Sequence, residues 1–130
     1  MTDLYRETII EAAQHPKNYG PLAGADVSTQ QLNPSCGDDV TVYLKLDQAD
    51  HQDPAKQRVV EIGWEGHGCI ISKAAMSVLS EQIIGKTRAE INQLQPAQIA
   101  EWLGLTAVAP GREKCLMVGL VAVKKALAQN

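Results

Sequence analysis

Asp39-Val40-Thr41-Val42-Tyr43-Leu44-Lys45-Leu46, residues 39–46, sets Val40, Val42, Leu44 and Leu46 at every second position, with Thr41, Tyr43 and Lys45 between them. Side chains of an extended chain point alternately to opposite faces, so this spacing predicts a strand with one buried face. Val60, Ile62 and Trp64 alternate with Glu61, Gly63 and Glu65 in the same way. The polar stretch 47–57, which contains Pro54, lies between the two patterns and reads as the loop of a long-looped antiparallel hairpin. The segment 26–32 is β-compatible but weakly patterned and is expected to add a third strand at one edge.

The period changes outside this region. Residues 3–15 place Tyr5, Ile9, Ala12 and Ala13 on one helical face, and Pro16, Asn18, Gly20 and Pro21 then end the helix. From Ile70 onward, Ile71, Ala74, Ala75, Val78 and Leu79 share a helical face until Gly85 offers a C-terminal cap. Thr87 followed by Glu90 has the form of a capping box for a short helix carrying Ile91 and Leu94. Pro96 suits a first helical turn, with Ile99, Trp102 and Leu103 as the apolar face before Gly104. After a connection at 106–111, a last helix over 112–128 aligns Leu116, Leu120, Val123 and Leu127, with Lys124 and Lys125 near its negative end. Strands followed by helices predict an α+β domain, a three-stranded antiparallel sheet with helices packed on it.

Its 130 residues predict a single domain over 1–130. A 45% hydrophobic, 21% charged composition excludes disorder as a description of the whole. The net charge of -3 argues against nucleic acid as a partner. The N-terminal residues Met1 to Glu7 carry both charge signs and no apolar run, and 116–123 is far shorter than the roughly 20 residues that cross a bilayer, so neither an export signal nor a membrane span is expected. Three cysteines without such a signal favour free thiols or metal ligation in a reducing compartment, the cytoplasm.

Those cysteines carry the chemistry. Cys36 lies in Asn33-Pro34-Ser35-Cys36-Gly37-Asp38, a turn-forming run before the best strand. Cys69, in Gly66-His67-Gly68-Cys69, falls where strand gives way to helix, beside the unpaired N–H groups of a helix start. Cys115 falls in the first turn or so of the last helix, next in sequence to Arg112 and Lys114. A helix N-terminus and nearby cations both favour thiolate over thiol. Three thiolates suit zinc or iron, and Asp38, two residues past Cys36, is the nearest fourth ligand, with His67 as a competitor. His15 and His51 lie in polar or breaker-rich segments and are assigned no role. Against this stands simple packing, because cysteine is often buried and intervals of 33 and 46 residues match no zinc-finger spacing. The position of all three at element boundaries beside glycine favours the metal. No dinucleotide fingerprint, Walker loop or Gly-x-Ser-x-Gly elbow is present.

Asn33-Pro34-Ser35-Cys36-Gly37-Asp38, Gly66-His67-Gly68-Cys69-Ile70-Ile71-Ser72 and Arg112-Glu113-Lys114-Cys115, with the Pro16-x-Asn18-x-Gly20 helix end, resemble in order the motifs of the IscU/NifU-type iron-sulfur cluster assembly proteins. The resemblance covers nearly the whole chain. It implies the same α+β fold with a three-stranded antiparallel sheet, a metal site of Cys36, Asp38, Cys69 and Cys115, and a cysteine desulfurase partner. IscU-type members have a histidine just before the third cysteine, whereas this chain has Lys114, as in the SufU branch.

That likeness implies zinc as the metal, and persulfide sulfur accepted from a SufS-type desulfurase by Cys36 as the reacting residue. Downstream cluster-assembly or acceptor proteins would follow, and Arg112 and Lys114 would support the thiolate of Cys115. Two alternatives share the same thiolates: a scaffold carrying a transient iron-sulfur cluster, and a zinc-stabilised interaction domain. The extra segment that SufU proteins usually carry between the second and third cysteines is missing, and Ala109-Pro110-Gly111 replaces the chaperone-recognition motif of IscU proteins, so no dedicated Hsp70 partner is implied.

Overall fold

The computed structural model describes residues 3–33, 37–47, 52–104 and 113–128, with side chains except at 3–6, 33 and 113–115. Strands β1 (Val27–Asn33), β2 (Asp38–Leu46) and β3 (Val59–His67) form one antiparallel sheet in the order β1-β2-β3. The helices are α1 (Asp3–Gln14), α2 (Ile70–Ile83), α3 (Arg88–Asn92), α4 (Pro96–Trp102) and α5 (Glu113–Ala128). The three-stranded α+β arrangement expected from the alternation is present.

The alternation in β2 is complete. Asp38, Val40, Val42, Leu44 and Leu46 are buried, and the residues between them are half-buried. That inner face meets α5, which also packs on β1 and α2, while α1 packs on α2. Val42, Leu44, Trp64, Leu79, Ile83, Leu116 and Val123 are the centre of the core. The outer face is wet and paired across strands: Tyr43 donates to Glu65 Oε1 at 2.5 Å, and Lys45 faces Glu61 at 4.0 Å. Donation to the Glu65 carboxylate raises the Tyr43 pKa, because loss of the phenol proton would cost that bond.

Strand β3 departs from the simple alternation at its start. Val60 is 44% exposed and Val59 is buried, because the register shifts opposite Lys45 and Leu46 and Leu46 pairs with Val59. The extra residue of this bulge turns Val60 outward. Val59 is held instead by the end of α2: its N–H donates to Lys86 at 3.1 Å and its carbonyl accepts from Gly85 at 2.7 Å. Gly85 has φ 89°, the left-handed conformation expected of a residue just past a helix end. The 47–57 loop contains a short 3-10 turn at Pro54–Lys56, started by the Asp53 carboxylate on the Ala55 N–H.

The other edge of β3 is covered by the segment that ends α1. Trp64 donates its backbone N–H to Asn18 and accepts from Gly20, and its indole Nε1 donates to the Lys17 carbonyl at 2.8 Å. Ser77 and Ser80 of α2 bind the same segment, through the Lys17 N–H and the Asn18 amide. The Thr87–Glu90 capping box is formed, at 3.1 and 2.9 Å. Buried Arg88 beside it donates two bonds to Gln57 Oε1 and one to the Leu127 carbonyl, tying α3 to the hairpin loop and to the last turn of α5. The expected last helix begins at Glu113; position 112 and the 106–111 connection lie outside the described residues.

Two measurements check this packing. A Cβ on Gly66 would sit 2.2 Å from the Asp39 carbonyl oxygen, which is backbone and cannot yield, whereas one on Gly119 would meet the mobile Met76 Sδ at 2.4 Å. Gly66→Ala is expected to cost about 2–3 kcal/mol in urea unfolding, and Gly119→Ala at most about 1, since overpacking is relieved where a flexible side chain gives way. Hydrogen bonding to the Thr87 N–H lowers the Glu90 pKa, so its support of α3 is complete above the ordinary glutamate pKa and fades as pH falls through the lowered value. Glu90→Gln should remove that part of the acid sensitivity in a urea series against pH.

Candidate metal site

The β2–β3 ladder ends with Asp39 opposite His67, so the first residue of β2 lies beside the residues that follow β3. Asp38 opens β2 on its buried face, and Cys69 is the N-cap of α2. The two meet: the Cys69 backbone N–H donates to Asp38 Oδ1 at 3.2 Å. Cys69 Sγ accepts from the Ser72 N–H at 3.5 Å, within the sulfur bonding range, so the start of α2 presents its positive end to the sulfur.

Asp38 is 3% exposed, and its Oδ2 is buried with no hydrogen-bond partner among the described residues. An unpaired buried polar atom costs about 1–3 kcal/mol, and more when charged. Gly68 leaves the room this carboxylate needs: a Cβ there would stand 2.7 Å from Asp38 Oδ1 and 2.3 Å from Ser72 Oγ. A buried carboxylate oxygen without a donor among the described residues, on a side chain held by the backbone N–H of a cysteine, fits a metal ion that takes both oxygen and sulfur.

The remaining sequence candidates are placed unevenly. Cys36 lies outside the described residues, in the short connection between Asn33 and Asp38, which face each other at the end of the β1–β2 ladder. Arg112 is also outside them. Cys115 and Lys114 lie in the first turn of α5. Val118, one turn further on, lines a crevice with Trp64, Gly66, Ser72 and Met76, which brings the start of α5 to the end of the sheet where Asp38 and Cys69 lie.

His67 and Asp39 border the same crevice from its outer side. The His67 Nδ1 pairs with Asp39 Oδ2 at 3.2 Å, and the histidine side chain is 89% exposed. Asp39 follows Asp38 in β2 and points to the opposite face, so His67 competes poorly as a ligand alongside Asp38. His15 is exposed, as expected, and His51 lies outside the described residues. Ser72 and Gly68 join Asp38 and Cys69 here without being candidates from the sequence, where their signal is a glycine before an N-cap cysteine and a serine at the third helical position.

Among known proteins, residues 4–130 match the family described as the NifU-like N terminal domain. The iron-sulfur cluster assembly scaffold protein IscU of Streptococcus pyogenes serotype M1 is 28% identical over 146 aligned residues, which cover all of this chain and 86% of that protein. The zinc-dependent sulfurtransferase SufU of Bacillus subtilis is 37% identical over 83 residues, 64% of this chain and 50% of that protein. A crystal structure titled as a putative iron-sulfur cluster assembly scaffold protein for the SUF system, from Fervidobacterium islandicum AW-1, superposes with a TM-score of 0.74 at 28% identity, covering 93% of this chain and 94% of that one. Among the described residues, no helix is long and apolar enough to cross a membrane.

The local geometry separates the two carboxylate oxygens. In metal-free protein, Asp38→Asn keeps an acceptor for the Cys69 N–H and removes the buried charge, so the urea midpoint should hold or rise. Asp38→Ala removes the acceptor and leaves a void, and should lower stability by about 1–2 kcal/mol with helical circular dichroism retained.

Proposed function

The chain belongs to the NifU-like N-terminal domain family, and on that premise we propose that it serves iron-sulfur cluster assembly as a zinc-holding sulfur acceptor of the SufU type. The observation that supports this reading is the buried Oδ2 of Asp38, without a hydrogen-bond partner among the described residues, on a carboxylate bonded to the Cys69 N–H. An isolated protein gains nothing from such an oxygen, whereas a metal ion gives it a partner. Cys36, Asp38, Cys69 and Cys115 are the residues that would hold zinc. Bound there, zinc supplies positive charge that keeps the cysteines deprotonated at neutral pH.

This chain's own residues do the rest. The Cys36 thiolate attacks the outer sulfur of a persulfide on a cysteine desulfurase. The sulfur–sulfur bond of that persulfide breaks, the desulfurase cysteine departs as a thiolate, and the outer sulfur remains on Cys36 as a new persulfide, with no net oxidation. Cys69 and Cys115 stay in place meanwhile, the first with the Ser72 N–H on its sulfur. Lys114 and Arg112, one and three positions before Cys115 in sequence, offset the accumulated negative charge. Lys114, standing where IscU-type members have histidine, favours the SufU branch, and a SufS-type enzyme is the corresponding donor. The reducing cytoplasm suits all three thiols. The names of several relatives support a second reading, a scaffold on which the cluster itself is the cargo.

Zinc-loaded protein incubated with a cysteine desulfurase and cysteine, then alkylated and analysed by mass spectrometry, is expected to carry persulfide on Cys36. Cys36→Ser should lose it. Sulfur found mainly on Cys115 would favour the scaffold reading, and zinc retained with no persulfide anywhere would leave a structural metal domain.

A further inference from the structure

We infer that Ser72 is a positioning residue for Asp38: its hydroxyl is the donor to which the carboxylate turns when it is off the metal ion, and so it sets how readily that ligand lets go. The inference rests on the metal-site reading above and adds a control element to it. Ser72 is 7% exposed and sits three residues into α2 from Cys69. Its Oγ and Asp38 Oδ1 flank the same point, the place a Cβ would take on Gly68, at 2.3 and 2.7 Å. A side chain on residue 68 would collide with both, and glycine leaves that space to them.

The hydroxyl is available for this. As placed, it donates to the Cys69 carbonyl at 2.9 Å. That carbonyl also accepts the helical bond from the Lys73 N–H at 3.1 Å, so it keeps a partner when the hydroxyl rotates away. Asp38, in contrast, has an oxygen with no hydrogen-bond partner among the described residues. The arrangement is therefore metal-ready: Oδ1 is anchored by the Cys69 N–H, Oδ2 has no donor among the described residues, and the serine proton is held aside on a carbonyl that does not need it. When Asp38 leaves the metal its buried charge requires a donor, and the Ser72 hydroxyl, which shares the space beside Gly68 with Oδ1, supplies it once the carboxylate and the serine side chain turn toward each other. A charge-assisted bond of this kind is worth about tenfold or more in a rate that depends on it.

The test follows zinc release to a chromophoric chelator in four proteins: wild type, Ser72→Ala, Asp38→Ala and the double variant. Ser72→Ala is expected to slow release about tenfold in the native background and by less than about twofold with Asp38→Ala, since the serine then has no carboxylate to serve. Ser72→Thr, which keeps the hydroxyl, should retain the native rate. The cobalt-substituted spectrum should be the same in wild type and Ser72→Ala, because the ligands themselves are unchanged. Equal slowing in both backgrounds, or none in either, overturns the role of Ser72 while leaving the metal site standing. Release from Asp38→Ala at the wild-type rate and affinity overturns Asp38 as a ligand, and the inference with it.

Discussion

The pairing of β2 with β3 is the constraint from which the rest follows. Its last rung sets Asp39 opposite His67 and Val40 opposite Gly66, so the start of one strand and the exit from the other are locked side by side. Gly66 makes that closeness possible, because any side chain there would run into the backbone of β2. From this corner Asp38 turns inward and Cys69 begins α2, and the two are joined by a single backbone hydrogen bond. Residues 31 positions apart in the chain thereby share one site. The helices complete the core, but the site would exist in no register of these strands other than this one.

Much of this could be read from the chain. The clean alternation in 39–46 carried over into a strand buried on one side, and Gly85, Thr87 and Glu90 ended and began helices where their chemistry demands. The outward turn of Val60 could not be read, since it results from Val59 bonding to the end of α2, a partner more than 20 residues away. Arg88 is a similar case: a charged residue in a short helix reads as surface, and only the meeting of Gln57 with the end of α5 explains its burial. The placing of Asp38 at a strand start and of Cys69 at a helix start was legible from the sequence, whereas the face that each of two adjacent aspartates takes, which separates Asp38 from the Asp39–His67 pair, follows from strand register.

The site is a stability cost kept in place by its surroundings. A carboxylate enclosed to 3% exposure, with one oxygen anchored and the other without a partner among the described residues, is not what packing alone would select. The fold tolerates it because one helix start provides an N–H to one oxygen, and because Gly68 keeps the space clear. Local disadvantage of this form is the usual mark of a place prepared for something that the bare chain lacks.

Trp64 gives the molecule an optical gauge of its own. It is one of two tryptophans, is 2% exposed, and meets Tyr19 edge-on with ring centres 4.8 Å apart at 82°. One side of the residue is fastened to the Lys17–Gly20 segment and another borders the crevice next to Ser72. An indole held so asymmetrically contributes near-ultraviolet ellipticity of its own beside that of Trp102 and the tyrosines, and its share reports on the joint between the N-terminal segment and the corner where Asp38 and Cys69 meet. Loosening at either side would dim it while the far-ultraviolet spectrum, which counts helices, stays as it was.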